Sequence, residues 1–302
     1  MPRWLVIAPV RYTDRNKVLN TEIQLGDSIQ LIRCPRYLST ENVFQRIGNS
    51  AEAWVKACDF ALSVEYDADS FQDMDPNWKG PEPRTKEAWA TELIYLSYLA
   101  LWLARPTELE FRTIFLSTEG TGGWQYIWHN DFKPMWHVPP DDQSAFIKED
   151  FVSASLFLKT LLSLKRDNAA WIAARTILQA HAQDWWEGRY LLIWIAMEAL
   201  FGPENAREIT YRLSLRTSHF LSSDPVERKS IFNSVKNNYS LRSAVVHGMR
   251  IARLSEKQSE QAMLSSDDIL RRALGKLLAE PKLLECFSGS KREEFLDDLA
   301  FS

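Results

Sequence analysis

Pro139-Pro140-Asp141-Asp142, followed from Phe146 by Phe-Ile-Lys-Glu-Asp-Phe-Val-Ser-Ala-Ser-Leu-Phe-Leu-Lys-Thr-Leu-Leu-Ser-Leu164, divides the chain into two kinds of sequence. The prolines interrupt regular structure, the aspartates offer a helix N-cap, and from Phe146 to Leu164 apolar residues recur at intervals of three and four, the period of one helix face. Downstream everything reads as helix, with segments expected near Ala169–His181, Glu187–Phe201, Ala206–Leu221, Val226–Val246, Glu256–Ala279 and Lys291–Leu299. Gly202-Pro203, Ser222 to Pro225, Gly248 and Ser288-Gly289 punctuate them where helices must stop and start.

Upstream the period changes. Trp4 to Val10, Ile23 to Arg33, Phe60 to Tyr66, Phe111 to Ser117 and Trp124 to Trp128 are short β-type runs between turn residues. Lys86 to Leu103 has the length and composition of a helix ended by Pro106, and Asp67 to Pro83 is a polar loop in which Asp73 and Asp75 are capping residues. The fold expected is therefore an α+β domain over 1–140 followed by an all-α helical bundle over 141–302. Eight of the twelve tryptophans lie in the first part, most simply as core and interface packing.

Composition sets outer bounds. At 302 residues with 45% hydrophobic content the chain can bury the cores of two domains. Three widely spaced cysteines, Cys34, Cys58 and Cys286, suggest neither a disulfide framework nor a zinc ribbon, and a reducing cytoplasm fits them. No run approaches the roughly 20 apolar residues of a membrane span, so no membrane partner is expected. The longest apolar run, Tyr190 to Phe201, is interrupted by Glu198 and reads as a buried helix. Net charge is -4, yet residues 205–253 hold nine Lys or Arg against three Asp or Glu. Any nucleic-acid contact would thus be a local patch on an acidic body.

Within that basic segment, Tyr239 to Gly248 closes a helix that begins near Pro225, with Gly248 where a left-handed capping residue would sit. His247 falls in the last turn, where the helix dipole favours its imidazolium near neutral pH. Arg242 precedes it by five residues, about 140° around the helix, so one helix does not stack the two on a common stripe. Two such helices meeting across a two-fold axis would bring guanidinium and imidazole to one phosphate. The chemistry that such a pair supports is metal-independent RNA transesterification: the Arg fork matches two non-bridging oxygens and the His moves the proton.

The stretch Leu191-Leu-Ile-Trp-Ile-Ala-Met-Glu198-Ala-Leu-Phe201, then Glu208-Ile-Thr-Tyr-Arg212-Leu-Ser-Leu-Arg216, then Tyr239-Ser-Leu-Arg242-Ser-Ala-Val-Val-His247-Gly248 resembles the Apea-like branch of the HEPN superfamily. The resemblance covers roughly 60 residues strongly and the flanking helices more loosely. It implies a dimerising helical bundle whose Arg242 and His247 form a composite endoribonuclease site, common in toxin, antiviral defence or RNA-processing systems. A polar residue usually follows the Arg; here it is Ser243, a weaker orienting group. The Tyr found two residues after the His in toxins silenced by adenylylation is replaced by Met249, so that control is unsupported.

The neighbours have assigned expectations too. Glu198 needs a partner inside an apolar helix, and Arg212, Arg216 or Arg242 would supply it. Arg212 and Arg216, four apart on one face, are candidate grips on RNA phosphates, as are Lys236, Tyr239 and Arg250, although a solvated face explains the cations as well and Tyr239 can simply pack. His129, Asp131 and His137 have the spacing of no common metal site, and neither a metal nor a cofactor is expected. The leading function is an endoribonuclease acting on RNA as a homodimer, with a protein or ligand trigger on the first domain. The alternatives are a non-catalytic HEPN module that binds nucleotide, RNA or protein, and a structural subunit of a larger complex.

Overall fold

In the computed structural model the described residues are 1–20, 22–35, 49–80, 82–118, 124–132, 145–204, 208–246, 255–289 and 291–301. They form two compact units, one reaching Lys159 and one running from Thr160. The first is α+β and the second helical, as the change of period predicts.

Strands β1 (Arg3–Arg11), β2 (Ile23–Gly26), β3 (Ile29–Arg33), β4 (Phe60–Asp67), β5 (Glu110–Thr118) and β6 (Trp124–Phe132) make one antiparallel sheet in the order β2-β3-β4-β1-β5-β6. The single run expected over Ile23 to Arg33 is a hairpin that turns at Asp27-Ser28. Central strand β1 contains Pro9, which lacks an amide proton; its pairing with β5 shifts register between Ile7 and Val10, so a bulge accommodates the missing donor.

Two helices cover the sheet. Helix α1 (Asn49–Lys56), which carries too little periodicity to be read from sequence, sets Trp54 and Val55 against Ile7, Ala61 and Phe115. Helix α2 (Lys86–Ala104) is capped by Thr85, whose hydroxyl accepts from the Ala88 amide. It is apolar nearly all round after its first turns and packs Trp89 on Tyr66 and Tyr98 on Phe111. Tyr66 and Ala61 point to opposite faces of β4, so α1 and α2 lie on opposite sides of the sheet.

Helix α3 (Lys148–Ser163) follows the proline pair but does not start the second unit; its first part belongs to the sheet unit. The Phe146 amide donates to the Tyr12 hydroxyl at 2.8 Å, the two rings lie 5.1 Å apart, and Asp150 pairs with Arg105. Burial pushes the Tyr12 phenol up to about 12. The first unit therefore extends beyond the Pro139-Pro140 boundary because these groups satisfy one another.

The second unit contains, among the described residues, α4 (Ala169–His181), α5 (Trp186–Phe201), α6 (Ile209–Leu221), α7 (Pro225–Val246), α8 (Glu256–Ala279), α9 (Pro281–Cys286) and α10 (Lys291–Phe301). Its caps follow from side-chain chemistry. Asn168 accepts from the Ala170 amide and donates to Leu284 and Ser288, Asp224 accepts from the Glu227 amide, and Ser255 forms a capping box with Gln258. Gly202 caps the end of α5 at a position where a side chain does not fit, since a Cβ there would lie 2.5 Å from the Glu198 carbonyl oxygen. Phe201, Phe220, Phe287 and Phe295 form one ring cluster, and Tyr190, Trp194 and Tyr239 another.

Candidate functional site where helices α5 and α7 meet

Helices α5 and α7 pack through contacts that advance along both chains in the same sense. Tyr190 donates its hydroxyl to the Asn238 carbonyl at 2.7 Å, Trp194 meets Tyr239 edge to face at 5.5 Å, and Glu198 reaches Tyr239 and Arg242. Tyr190 and Trp194 are fully buried, so the aromatic packing fixes the height at which the two polar ends face each other.

At that end one carboxylate oxygen takes a hydrogen bond and an ion pair. Glu198 Oε1 accepts from the Tyr239 hydroxyl at 2.8 Å and forms an ion pair with Arg242 Nη2 at 3.2 Å. The Arg242 guanidinium also lies 5.5 Å from the Tyr239 ring centre. Burial, then the hydrogen bond and charge of Glu198, push the Tyr239 phenol up to about 12, so it stays a protonated donor at neutral pH. The Glu198 and Arg242 side chains remain about a quarter exposed, at 26% and 25%. The guanidinium is thus oriented by the protein and open to solvent on one side. Its Nε is buried and has no hydrogen-bond partner among the described residues.

Of the three arginines offered to Glu198 by the sequence, Arg242 is the partner. Arg212 and Arg216 are used differently from the phosphate grip expected of them. Arg216 is 1% exposed, bonds Glu293 through both terminal nitrogens and Asp297 at 2.5 Å, and Arg212 pairs with the same two carboxylates. Burial works against the Glu293 carboxylate, yet Arg216 and Arg212 outweigh it and hold the group below its usual range; Arg216 does the same for Asp297. These charges fasten α10 to α6. Arg292 completes the attachment by donating to the carbonyls of Ala199, Leu200 and Gly202 at the end of α5.

Tyr239 likewise is not an exposed RNA contact: it is 6% exposed and its hydroxyl is committed to Glu198. Lys236 and Ser243 are exposed on α7. His247 and Arg250 lie outside the described residues, as does His137, while His129 and Asp131 lie in β6. Among the described residues no cluster of three or more His, Cys, Asp or Glu is placed to hold a metal, and no helix is long and apolar enough to cross a membrane.

Sequence reasoning passed over a buried ionic cluster at the other end of α5. Arg189 bonds Asp267 of α8 at 3.0 Å, and His181 lies fully buried nearby. Burial, then the Arg189 charge, hold the His181 imidazole well below its usual range, whereas burial pushes the Asp267 carboxyl up despite Arg189. The available signal was an arginine inside an apolar helix, the mirror of Glu198. Comparison of the chain with protein-family models, curated proteins and solved structures finds no match.

Proposed function

We propose that the protein is a metal-independent endoribonuclease of the HEPN type, cleaving RNA at a site composed from two copies of α7. The observation that carries the proposal is the Glu198–Tyr239–Arg242 arrangement: it presents an oriented, permanently charged guanidinium five residues before His247 in the sequence. In the proposed reaction the 2'-oxygen attacks the adjacent phosphorus and the bond to the 5'-oxygen breaks. His247 accepts the 2'-hydroxyl proton and a protonated imidazole returns one to the leaving oxygen. Arg242 neutralises charge growing on the non-bridging oxygens. The products are a 2',3'-cyclic phosphate and a 5'-hydroxyl.

Assembly is part of the proposal. Leu191, Leu192, Ile195 and Ala199 flank Glu198 on the outer side of α5, with Ile195 44% exposed, which suits association with a second copy. The first unit would restrain the nuclease, receive a protein or ligand trigger, or position RNA, in a cytoplasmic defence or toxin-type system.

Purified wild-type protein incubated with bulk tRNA and rRNA in EDTA should produce fragments with cyclic phosphate ends, and Arg242→Ala and His247→Ala should not, with fold and dimer mass intact. Wild-type protein inert on every RNA pool would overturn the proposal. The charge of Glu198 on Arg242 favours a second reading, a non-catalytic HEPN module that binds nucleotide, RNA or protein, for which the Arg242/His247 double variant would keep full biological activity.

A further inference from the structure

Of the nine cations in 205–253, four are engaged inside the fold. Arg212 and Arg216 hold α10, Arg242 holds Glu198, and Arg228 donates to the Ser222 and Ser223 carbonyls at the end of α6. Arg207, Arg250 and Arg253 lie outside the described residues. The two that remain, Lys229 and Lys236, are exposed, and their ammonium groups make no ion pair or hydrogen bond among the described residues.

These two share one face of α7. Lys229, Asn233, Lys236, Ser240 and Ser243 follow each other at intervals of four, three, four and three, and all five are exposed. From Arg228 to Val246 the helix contains no Asp or Glu. The result is a single row of ammonium, amide and hydroxyl groups, about 21 Å long at the rise of an α-helix. It runs toward the C-terminal end of α7, where Arg242 lies one residue before Ser243 and about 100° around the helix from it.

We infer that this face of α7 is a binding track for the backbone of single-stranded RNA, leading the strand to the end of α7 that carries Arg242. The identification of the polyanion as RNA rests on the ribonuclease proposed above; the track itself rests on the charge and spacing of α7. Point charges and the polar groups of Asn233 and Ser243 match phosphate and ribose oxygens without reading base edges, while the Ser240 hydroxyl, which donates to the Lys236 carbonyl, offers its lone pairs to a ribose hydroxyl, so the track binds with little sequence preference. One row of donors meets one backbone, whereas a duplex presents two across a groove. The rest of the chain carries a net negative charge, which disfavours binding of the strand elsewhere.

The test uses full-length protein and a fluorescein-labelled single-stranded RNA carrying 2'-O-methyl groups, which binds without being cut. Affinity is measured by anisotropy across a salt series for wild type, Lys229→Ala/Lys236→Ala, and the control Lys257→Ala/Lys282→Ala, with circular dichroism confirming each fold. Two lost phosphate contacts should flatten the slope of log affinity against log salt by about 1.4 in the α7 variant and leave the control unchanged. An unchanged slope, equal weakening in the control, equal and lysine-dependent binding of a duplex, or a change in oligomer mass in place of affinity would each overturn the inference. The two readings fail separately. Lysine-dependent binding with no cleavage of unmodified RNA removes the nuclease and leaves the track, while His247-dependent cleavage with a lysine-independent slope does the reverse.

Discussion

Glu198 Oε1 accepts from the Tyr239 hydroxyl at 2.8 Å and, with the same oxygen, pairs with Arg242 Nη2 at 3.2 Å. Removing the hydroxyl leaves the ion pair but frees the carboxylate to swing, so Tyr239→Phe tests whether orientation matters. Cleavage kcat should fall roughly tenfold to a hundredfold with KM little changed, because a small misplacement of a reacting group is costly. Glu198→Gln, which keeps an acceptor oxygen for Tyr239, should retain more activity than Glu198→Ala. A merely structural contact would move the melting temperature and leave kcat alone.

Arg242→Lys keeps the charge and an attraction to Glu198 but loses the planar fork. The cleavage rate should drop on the order of a hundredfold or more, while thermal stability changes little because the pair is partly exposed. Initial rates on one defined RNA measure this, and a lysine variant near wild-type rate would mean that charge alone suffices.

The α10 attachment separates two arginines that look equivalent in sequence. Arg216 is buried under Glu293 and Asp297, so Arg216→Ala should cost about 3–5 kcal/mol in urea unfolding by leaving carboxylates without their partner. Arg212→Gln, at 28% exposure, should cost about 1 kcal/mol or less and leave RNA affinity unchanged. A large loss of affinity in Arg212→Gln would restore it to the RNA contacts.

His181 gives the helical unit a dependence on pH. Burial, reinforced by Arg189, keeps the native imidazole neutral, so below the ordinary histidine value of 6.5 the unfolded chain binds a proton that the folded chain refuses. Its contribution is present in full above about pH 6.5 and is lost as the pH falls below it, at up to about 1.4 kcal/mol per pH unit. Denaturant midpoints between pH 7 and 5 should show this slope, and His181→Gln should flatten it. Glu293 and Asp297, with lowered pKa values, stabilise the fold above the ordinary carboxylate range, and that contribution disappears only at more acidic pH.

How much of this was legible in the sequence depends on whether a signal is local. The switch of period after Pro139-Pro140 marks the change from sheet to helices, and a glutamate inside Tyr190 to Phe201 announces a buried partner. Which arginine answers it depends on how α5 crosses α7, and that is set by Tyr190, Trp194 and Tyr239 packing in three dimensions. The α10 attachment had a faint signal: Glu293 and Asp297 repeat the four-residue spacing of Arg212 and Arg216, about 80 residues apart. Tyr12 and Phe146, separated by 134 residues, gave none. Helix α1 is eight residues long, too short for its period to stand out.

The division of α3 between the two units has a consequence for recombination and gene fusion. An exchange of coding segments at Pro139-Pro140 would carry Phe146, Phe151 and Asp150 away with the helical half, stripping the Tyr12 hydroxyl of its amide donor and Arg105 of its carboxylate. A junction near Lys159 keeps these contacts but falls inside a helix, where the incoming sequence must continue the three-and-four apolar spacing without a break. Any half joined there must therefore be able to finish the other's helix.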